Sequence, residues 1–179
     1  MVSPLSAIVV MGVSGCGKSS VGAEIAKVSG GHLIEGDSFH PAANIEKMSA
    51  GHPLDDTDRA GWLVKLGEEL ARCVNAGERP ILTCSALKKT YRKTLREAVP
   101  NLGFVFLELT RSDAAYRVSH RPGHFMPASL IDSQFSTLES PTGEPLTLTV
   151  DASVPIPEIA VQVDHWIDSL GASTLTRTA

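Results

Sequence analysis

Gly12-Val13-Ser14-Gly15-Cys16-Gly17-Lys18-Ser19 fits Gly-x-x-x-x-Gly-Lys-Ser/Thr without a gap, and it follows the apolar run Ala7-Ile8-Val9-Val10-Met11. That spacing is the signature of a phosphate-binding loop joining a buried strand to the N-terminus of a helix. Both flanks are legible. The preceding run is short and β-branched, and Ser20 to Lys27 continues as a helix that groups Val21, Ile25 and Val28 on one face. Backbone N–H groups of Gly12, Val13, Ser14, Gly15, Cys16, Gly17, Lys18, Ser19 and Ser20 are the expected anion cradle, with glycine where the chain must come close to phosphate. The Lys18 ammonium reaches the β- and γ-phosphates, and the Ser19 hydroxyl is placed to ligate Mg²⁺.

Composition bounds the rest. The chain has 179 residues and a formal net charge of -4, which suits one domain with a substantial core and argues against a general nucleic-acid binder. Cys16, Cys73 and Cys84 lack metal-site spacing, and an odd count does not suggest a disulfide framework; they are expected to be reduced, small apolar residues. No apolar run approaches the roughly 20 residues of a membrane helix. A cytoplasmic protein without membrane or nucleic-acid partners is the simplest expectation.

Along the chain, strands and helices alternate as in an α/β fold with a five-stranded parallel sheet. Gly30-Gly31 ends the first helix and His32 to Glu35 forms the second strand, so Asp37 emerges at a strand's carboxyl end, where ligands of such sheets bind. Asp37 is therefore the first candidate for taking a proton from an acceptor hydroxyl or for holding Mg²⁺; the alternative is a turn or helix-capping aspartate. Ser38 to Leu70 carries His40, Asn44, Lys47, His52, Asp55, Asp56, Asp58 and Arg59 before an amphipathic helix through Trp62, Leu63, Leu66 and Leu70, which suits a cap over a substrate. Arg59 either grips a carboxylate or forms an exposed ion pair with Asp55 or Asp56.

Ile81 to Cys84 is the third strand, with Lys88 and Lys89 just past its end. It lacks the acid that usually binds metal at that position, which shifts metal duty to Ser19 and Asp37. Thr90 to Val99 is a basic helix whose Arg92, Lys93 and Arg96 are expected on a solvated face. Phe104 to Leu109 is the fourth strand and Ser112 to His120 a helix. Arg117 and Arg121 follow at a four-residue spacing before Pro122-Gly123, fitting a mobile lid that neutralises charge on a transferring phosphoryl group. Pro127 to Leu138 is again helical, Pro145 to Val150 is the fifth strand, and Pro157 to Leu170 a closing helix. One domain is expected over 1–170, with a substrate-cap segment at about 38–70, a lid at about 117–138 and a flexible tail over 171–179.

Several stretches taken together resemble the gluconate kinases of the nucleoside-monophosphate-kinase-like P-loop group. They are Gly12 to Ser19; Gly36-Asp37-Ser38-Phe39-His40-Pro41 with Asn44 and Lys47-Met48; and Gly51-His52-Pro53-Leu54 with Asp56, Asp58-Arg59 and Trp62-Leu63. Downstream they continue as Cys84 to Lys88 with Tyr91-Arg92, then Gly123-His124-Phe125, Ser133-Gln134-Phe135 and Leu138-Glu139. The resemblance implies a three-layer P-loop kinase fold with a mobile lid, and ATP-dependent phosphorylation of D-gluconate at its 6-hydroxyl. It also implies a homodimer. Carried over by position, Asp37 orients and deprotonates the hydroxyl, while His40, Arg59, Lys88, Arg121, His124 and Gln134 grip the acceptor or close over the phosphates. Lys18 and Arg121 join Asp37 as catalytic candidates, and Arg117 joins the loop in binding nucleotide. Phe39, Ala60-Gly61 and Pro122 depart from the family's usual residues, and none of them removes a group the chemistry needs. Shikimate kinase, another kinase of an anionic hydroxyl acceptor, and a nucleotide sensor without turnover are the competing readings.

Overall fold

The computed structural model describes residues 3–120 and 128–175. Five parallel strands lie in the order β2-β3-β1-β4-β5, namely β1 (Ala7–Met11), β2 (His32–Glu35), β3 (Pro80–Thr83), β4 (Leu102–Glu108) and β5 (Thr147–Asp151). Every residue of β1 and β3 is buried, as central strands covered on both faces must be. Val9 pairs with Leu82 on one side and Phe104 on the other, at the centre of the core.

The covering helices are α1 (Lys18–Ser29), α2 (Ala42–Ser49), α3 (Asp56–Asn75), α4 (Lys89–Ala98), α5 (Arg111–Ser119), α6 (Ala128–Thr137) and α7 (Ile156–Leu175). Helix α1 packs on α7, α3 on α4, and α5 on α6. A short 3-10 turn, Gly36–Phe39, leads out of β2. Helix α3 starts where Asp55 and Asp58 form a reciprocal capping box, each carboxylate accepting from the other's backbone N–H at 2.8 and 2.9 Å.

The α/β architecture and the five strands stand where the sequence predicts them, with shifted ends. Strand β3 starts at Pro80 and stops before Cys84, whose N–H still donates to Val10 at 3.1 Å. Strand β5 begins two residues late because Leu146 turns the chain at φ 50°. Helix α7 continues through Gly171 to Leu175, where a tail was expected; residues 176–179 lie outside the described residues. The buried face of α1 is Val21, Gly22, Ile25 and Ala26, whereas Val28 is exposed, contrary to expectation. All three cysteines are free and buried. Among the described residues no helix is long and apolar enough to cross a membrane.

Arg92 is the largest departure. It is fully buried rather than solvated. Its guanidinium donates to Glu144 at 2.7 and 3.0 Å, to the carbonyls of Ala86 and Leu87 at 2.8 and 3.1 Å, and to that of Glu139 at 3.0 Å. One side chain thus ties the loop after β3 to the end of α6. Arg92→Met leaves Glu144 with Arg96 at 2.8 Å as its remaining guanidinium and strands three carbonyls, and is expected to lower stability by ~3–5 kcal/mol in urea unfolding; an unchanged midpoint would contradict this role.

Candidate active site

Helix α1 opens on the loop with Gly17 as a left-handed N-cap and no side-chain cap. The N–H groups of its first turn therefore have no partner within the helix, which leaves them directed at an anion. Gly12 is required by close approach: a Cβ there would lie 2.7 Å from Cys16 Sγ and 2.9 Å from the Leu107 carbonyl. Lys18 Nζ donates to the carbonyls of Gly12 and Val13, both at 3.1 Å, so the ammonium is held at the loop. Ser19 and Ser20 are exposed at its edge, while Val13 and Cys16 are buried beneath it.

Two side chains from beyond β4 reach the same loop. The Gln134 amide makes a paired contact with Ser14, accepting its backbone N–H at 2.6 Å and donating to its hydroxyl at 2.8 Å. Arg117 borders the carbonyls of Gly15 and Cys16 at 3.5 Å and donates to Ala152 at 2.9 Å. Both were expected near phosphate or acceptor, and both lie on the loop. Arg121 and His124 fall outside the described residues.

The residue that sequence reasoning missed is Glu35. Its Oε2 accepts from Ser19 Oγ at 3.0 Å and from Thr83 Oγ1 at 2.6 Å, while Thr83 Oγ1 also accepts the Gly36 N–H at 3.3 Å. Thr83 occupies the strand end where an acid was missing, and its hydroxyl positions a carboxylate supplied by the neighbouring strand instead. Sequence named Ser19 and Asp37 as metal candidates; Glu35, bonded to the Ser19 hydroxyl, is a further candidate beside them. The signal was the register Glu35 opposite Thr83, which becomes readable once β2 is known to lie beside β3. The following glycine is obligatory, since a Cβ on Gly36 would lie 2.1 Å from the Thr83 carbonyl. A hydroxyl and a carboxylate side by side are hard oxygen donors of the kind Mg²⁺ selects, and Mg²⁺ keeps several waters, so two protein donors suffice.

Asp37 projects from the 3-10 turn with its side chain 88% exposed, and its Oδ1 is 3.7 Å from His40 Nε2. The turn is pinned from behind by Trp62, whose Nε1 donates to the Gly36 carbonyl at 2.8 Å. His40 stacks on the Trp62 ring at 4.1 Å, and its Nδ1 lies 3.3 Å from the Asn44 amide. Burial pushes the His40 pKa down; Asp37 raises it and Arg59 lowers it. A histidine lowered on folding is bound neutral, so it contributes stability above its unfolded value, about 6.5, that is lost as pH falls through the folded value. His40→Phe is expected to flatten the loss of stability below about pH 6.5; an equally steep loss in the variant would contradict it.

Arg59 is buried. It donates to the Tyr91 hydroxyl at 3.2 Å and stacks on that ring at 5.5 Å. Among the described residues it makes no ion pair, so the exposed pairing with Asp55 or Asp56 does not form. Asp56 instead accepts from Lys88 Nζ at 2.8 Å and from the Tyr91 hydroxyl; the Lys88 bond, then the Tyr91 bond, hold its carboxyl below the usual range. Asn44 and Lys47 are spent on structure, bonding Asp58 at 2.9 and 2.6 Å and tying α2 to α3.

A phosphate cradle with a neighbouring carboxylate pair at one strand end suits transfer of a phosphoryl group to a small hydroxyl acceptor, and on this sheet order it places the chain among the P-loop kinases. Relatives narrow the class. Gluconokinase of Gluconobacter oxydans is 50% identical over 134 residues, 75% of each chain, and the thermoresistant gluconokinase of Escherichia coli is 41% identical over 167 residues, 93% of this chain and 90% of that one. A crystal structure of a gluconokinase from Sinorhizobium meliloti covers 100% of both chains at 47% identity and a TM-score of 0.88. APS kinase of Mycobacterium tuberculosis, at 20% identity and a TM-score of 0.67, shares the fold. No protein-family model matches the chain. The chain belongs to the gluconokinase family.

Proposed function

We propose that the chain transfers the γ-phosphoryl group of ATP to the 6-hydroxyl of D-gluconate, releasing ADP and 6-phospho-D-gluconate. The observation that carries this reading is the exposed Asp37 carboxylate, two residues past the Glu35 that bonds Ser19, in a gluconokinase-family chain. Asp37 accepts the hydroxyl proton as that oxygen bonds to phosphorus and the bond to ADP breaks. His40, 3.7 Å from the Asp37 carboxylate, adds no fixed positive charge beside it when neutral. Lys18 leaves the carbonyls of Gly12 and Val13 for the β- and γ-phosphates, and the first-turn N–H groups of α1 hold them. Ser19 and Glu35 would hold Mg²⁺, which would supply charge neutralisation for the transferring group.

The other end of the acceptor is anionic. Among the described residues the buried Arg59 guanidinium bonds a neutral hydroxyl and makes no ion pair, so a substrate carboxylate provides its counter-charge. Lys88 lines the same corner through Asp56. Arg117 and Gln134 attend the phosphates, and Arg121 and His124 are assigned by position to closure over them. The same reading makes the protein a cytoplasmic homodimer acting on a small molecule, with sedimentation equilibrium as the test of the dimer. The acceptor is tested by comparing kcat/KM across gluconate, shikimate and related acids. Gluconate is expected to lead, and a preference for shikimate would overturn the assignment.

A further inference from the structure

At the end of β2 remote from Glu35, the chain brings together three side chains that phosphoryl transfer does not use. His32 opens β2, Cys73 lies in the last turn of α3, and Glu78 follows in the turn to β3. Their ligand atoms all lie within 4.8 Å of one another. The backbone builds this meeting: the Glu78 N–H donates to the Cys73 carbonyl at 2.9 Å, and the His32 N–H donates to the Arg79 carbonyl at 2.8 Å. We propose that His32, Cys73 and Glu78 form a second, non-catalytic metal site for a borderline-soft divalent cation of the Zn²⁺ type.

The donor set decides the class of ion. One imidazole, one thiol and one carboxylate suit tetrahedral Zn²⁺, with water as the fourth ligand, and do not suit Mg²⁺, which takes oxygen donors. Ligand atoms ~2.0–2.3 Å from such an ion stand roughly 3.3–3.8 Å apart, a spacing that rotation of the two exposed side chains, His32 and Glu78, can reach. His32 and Glu78 line an open cleft of about 310 Å³ with Cys73 buried outside its lining, and the cleft gives the ion and its water an entry path.

The surroundings of Cys73 are unlike those of an inert core thiol. Its sulfur lies 3.3 Å from Arg72 Nη2 and 3.8 Å from Glu69 Oε1, and Arg72 is itself paired with Glu69 at 2.7 Å. Two carboxylates, one guanidinium and a neutral thiol leave the cluster with one net negative charge. Burial, then the bond to Glu78, pushes the thiol up to about 11, so it is protonated at neutral pH. On binding, the metal–sulfur bond forms, the S–H proton leaves to solvent, and the cluster becomes neutral overall. Arg72 stays beside the sulfur and stabilises the thiolate.

Cobalt substitution of the full chain at pH 7.5, without Mg²⁺, reads this site directly. The wild type is expected to develop a thiolate-to-cobalt charge-transfer band that saturates at one equivalent and is displaced by Zn²⁺. Cys73→Ser should lose the band. The double variant His32→Gln/Glu78→Gln keeps the buried thiol, so it is expected to fold, to bind at least about tenfold more weakly and to retain kinase turnover within about twofold. No band in the wild type would overturn the site, as would a band that survives Cys73→Ser, which would assign the metal to Cys16 or Cys84. Unchanged affinity in the double variant would overturn it equally.

Discussion

Asp37→Asn is expected to lower kcat by ~10²–10⁴ while leaving ATP binding intact. The substitution keeps shape and removes only the ability to take a proton. The carboxylate is 88% exposed, with the His40 ring 3.7 Å away. Little folding energy therefore depends on it, and surface changes of this kind stay within about 0.5 kcal/mol. Losing Asp37 also removes a charge that raises the His40 pKa, but that ring is already neutral at the assay pH, so the variant isolates the proton-transfer role. Burst and steady-state kinetics with saturating ATP check the result; near-normal turnover in a folded variant would remove Asp37 from the chemistry.

Glu35→Gln is expected to raise the Mg²⁺ concentration needed for half-maximal rate and to cost about 10–100-fold in activity at low Mg²⁺. Glutamine retains an acceptor for the hydroxyls of Ser19 and Thr83, which now meet on one Glu35 oxygen at 3.0 and 2.6 Å. Charge is what changes. Excess Mg²⁺ should recover part of the rate if Glu35 acts through the ion, and a rate insensitive to Mg²⁺ in both proteins would contradict the role. The two variants are distinguishable, because Asp37→Asn gains nothing from added metal.

The loop and its strand and helix were legible because their chemistry is local: four fixed positions in Gly12 to Ser19 and an apolar run beside them determine the geometry. The position of Asp37 just past the end of β2 was legible for a related reason. Glu35 was not, because its role depends on which strand lies beside β2, and its partner Thr83 is 48 residues away. Arg92 shows the same limit more sharply. On a basic helix it reads as solvated, and its burial is offset by the Glu144 carboxylate, 52 residues on, together with the carbonyls of Ala86, Leu87 and Glu139. Val28 continues the apolar spacing of α1 but falls beyond the stretch that the sheet and α7 cover. Helix α7 runs through Gly171 although glycine disfavours a helix interior by about 1 kcal/mol, a cost that the helix on either side of it outweighs. For Gln134, the resemblance implied a grip on the acceptor or closure over the phosphates, and its side chain bonds Ser14 of the phosphate loop at 2.6 Å.

The most direct test of the account is the identity of the product formed from MgATP and D-gluconate, read by phosphorus NMR of the quenched reaction. The expected result is ADP together with a phosphomonoester whose signal is coupled to the two protons on carbon 6, and no ADP when gluconate is omitted. ATP that binds without any phosphorylated sugar acid appearing, or phosphate carried on another position, would contradict it.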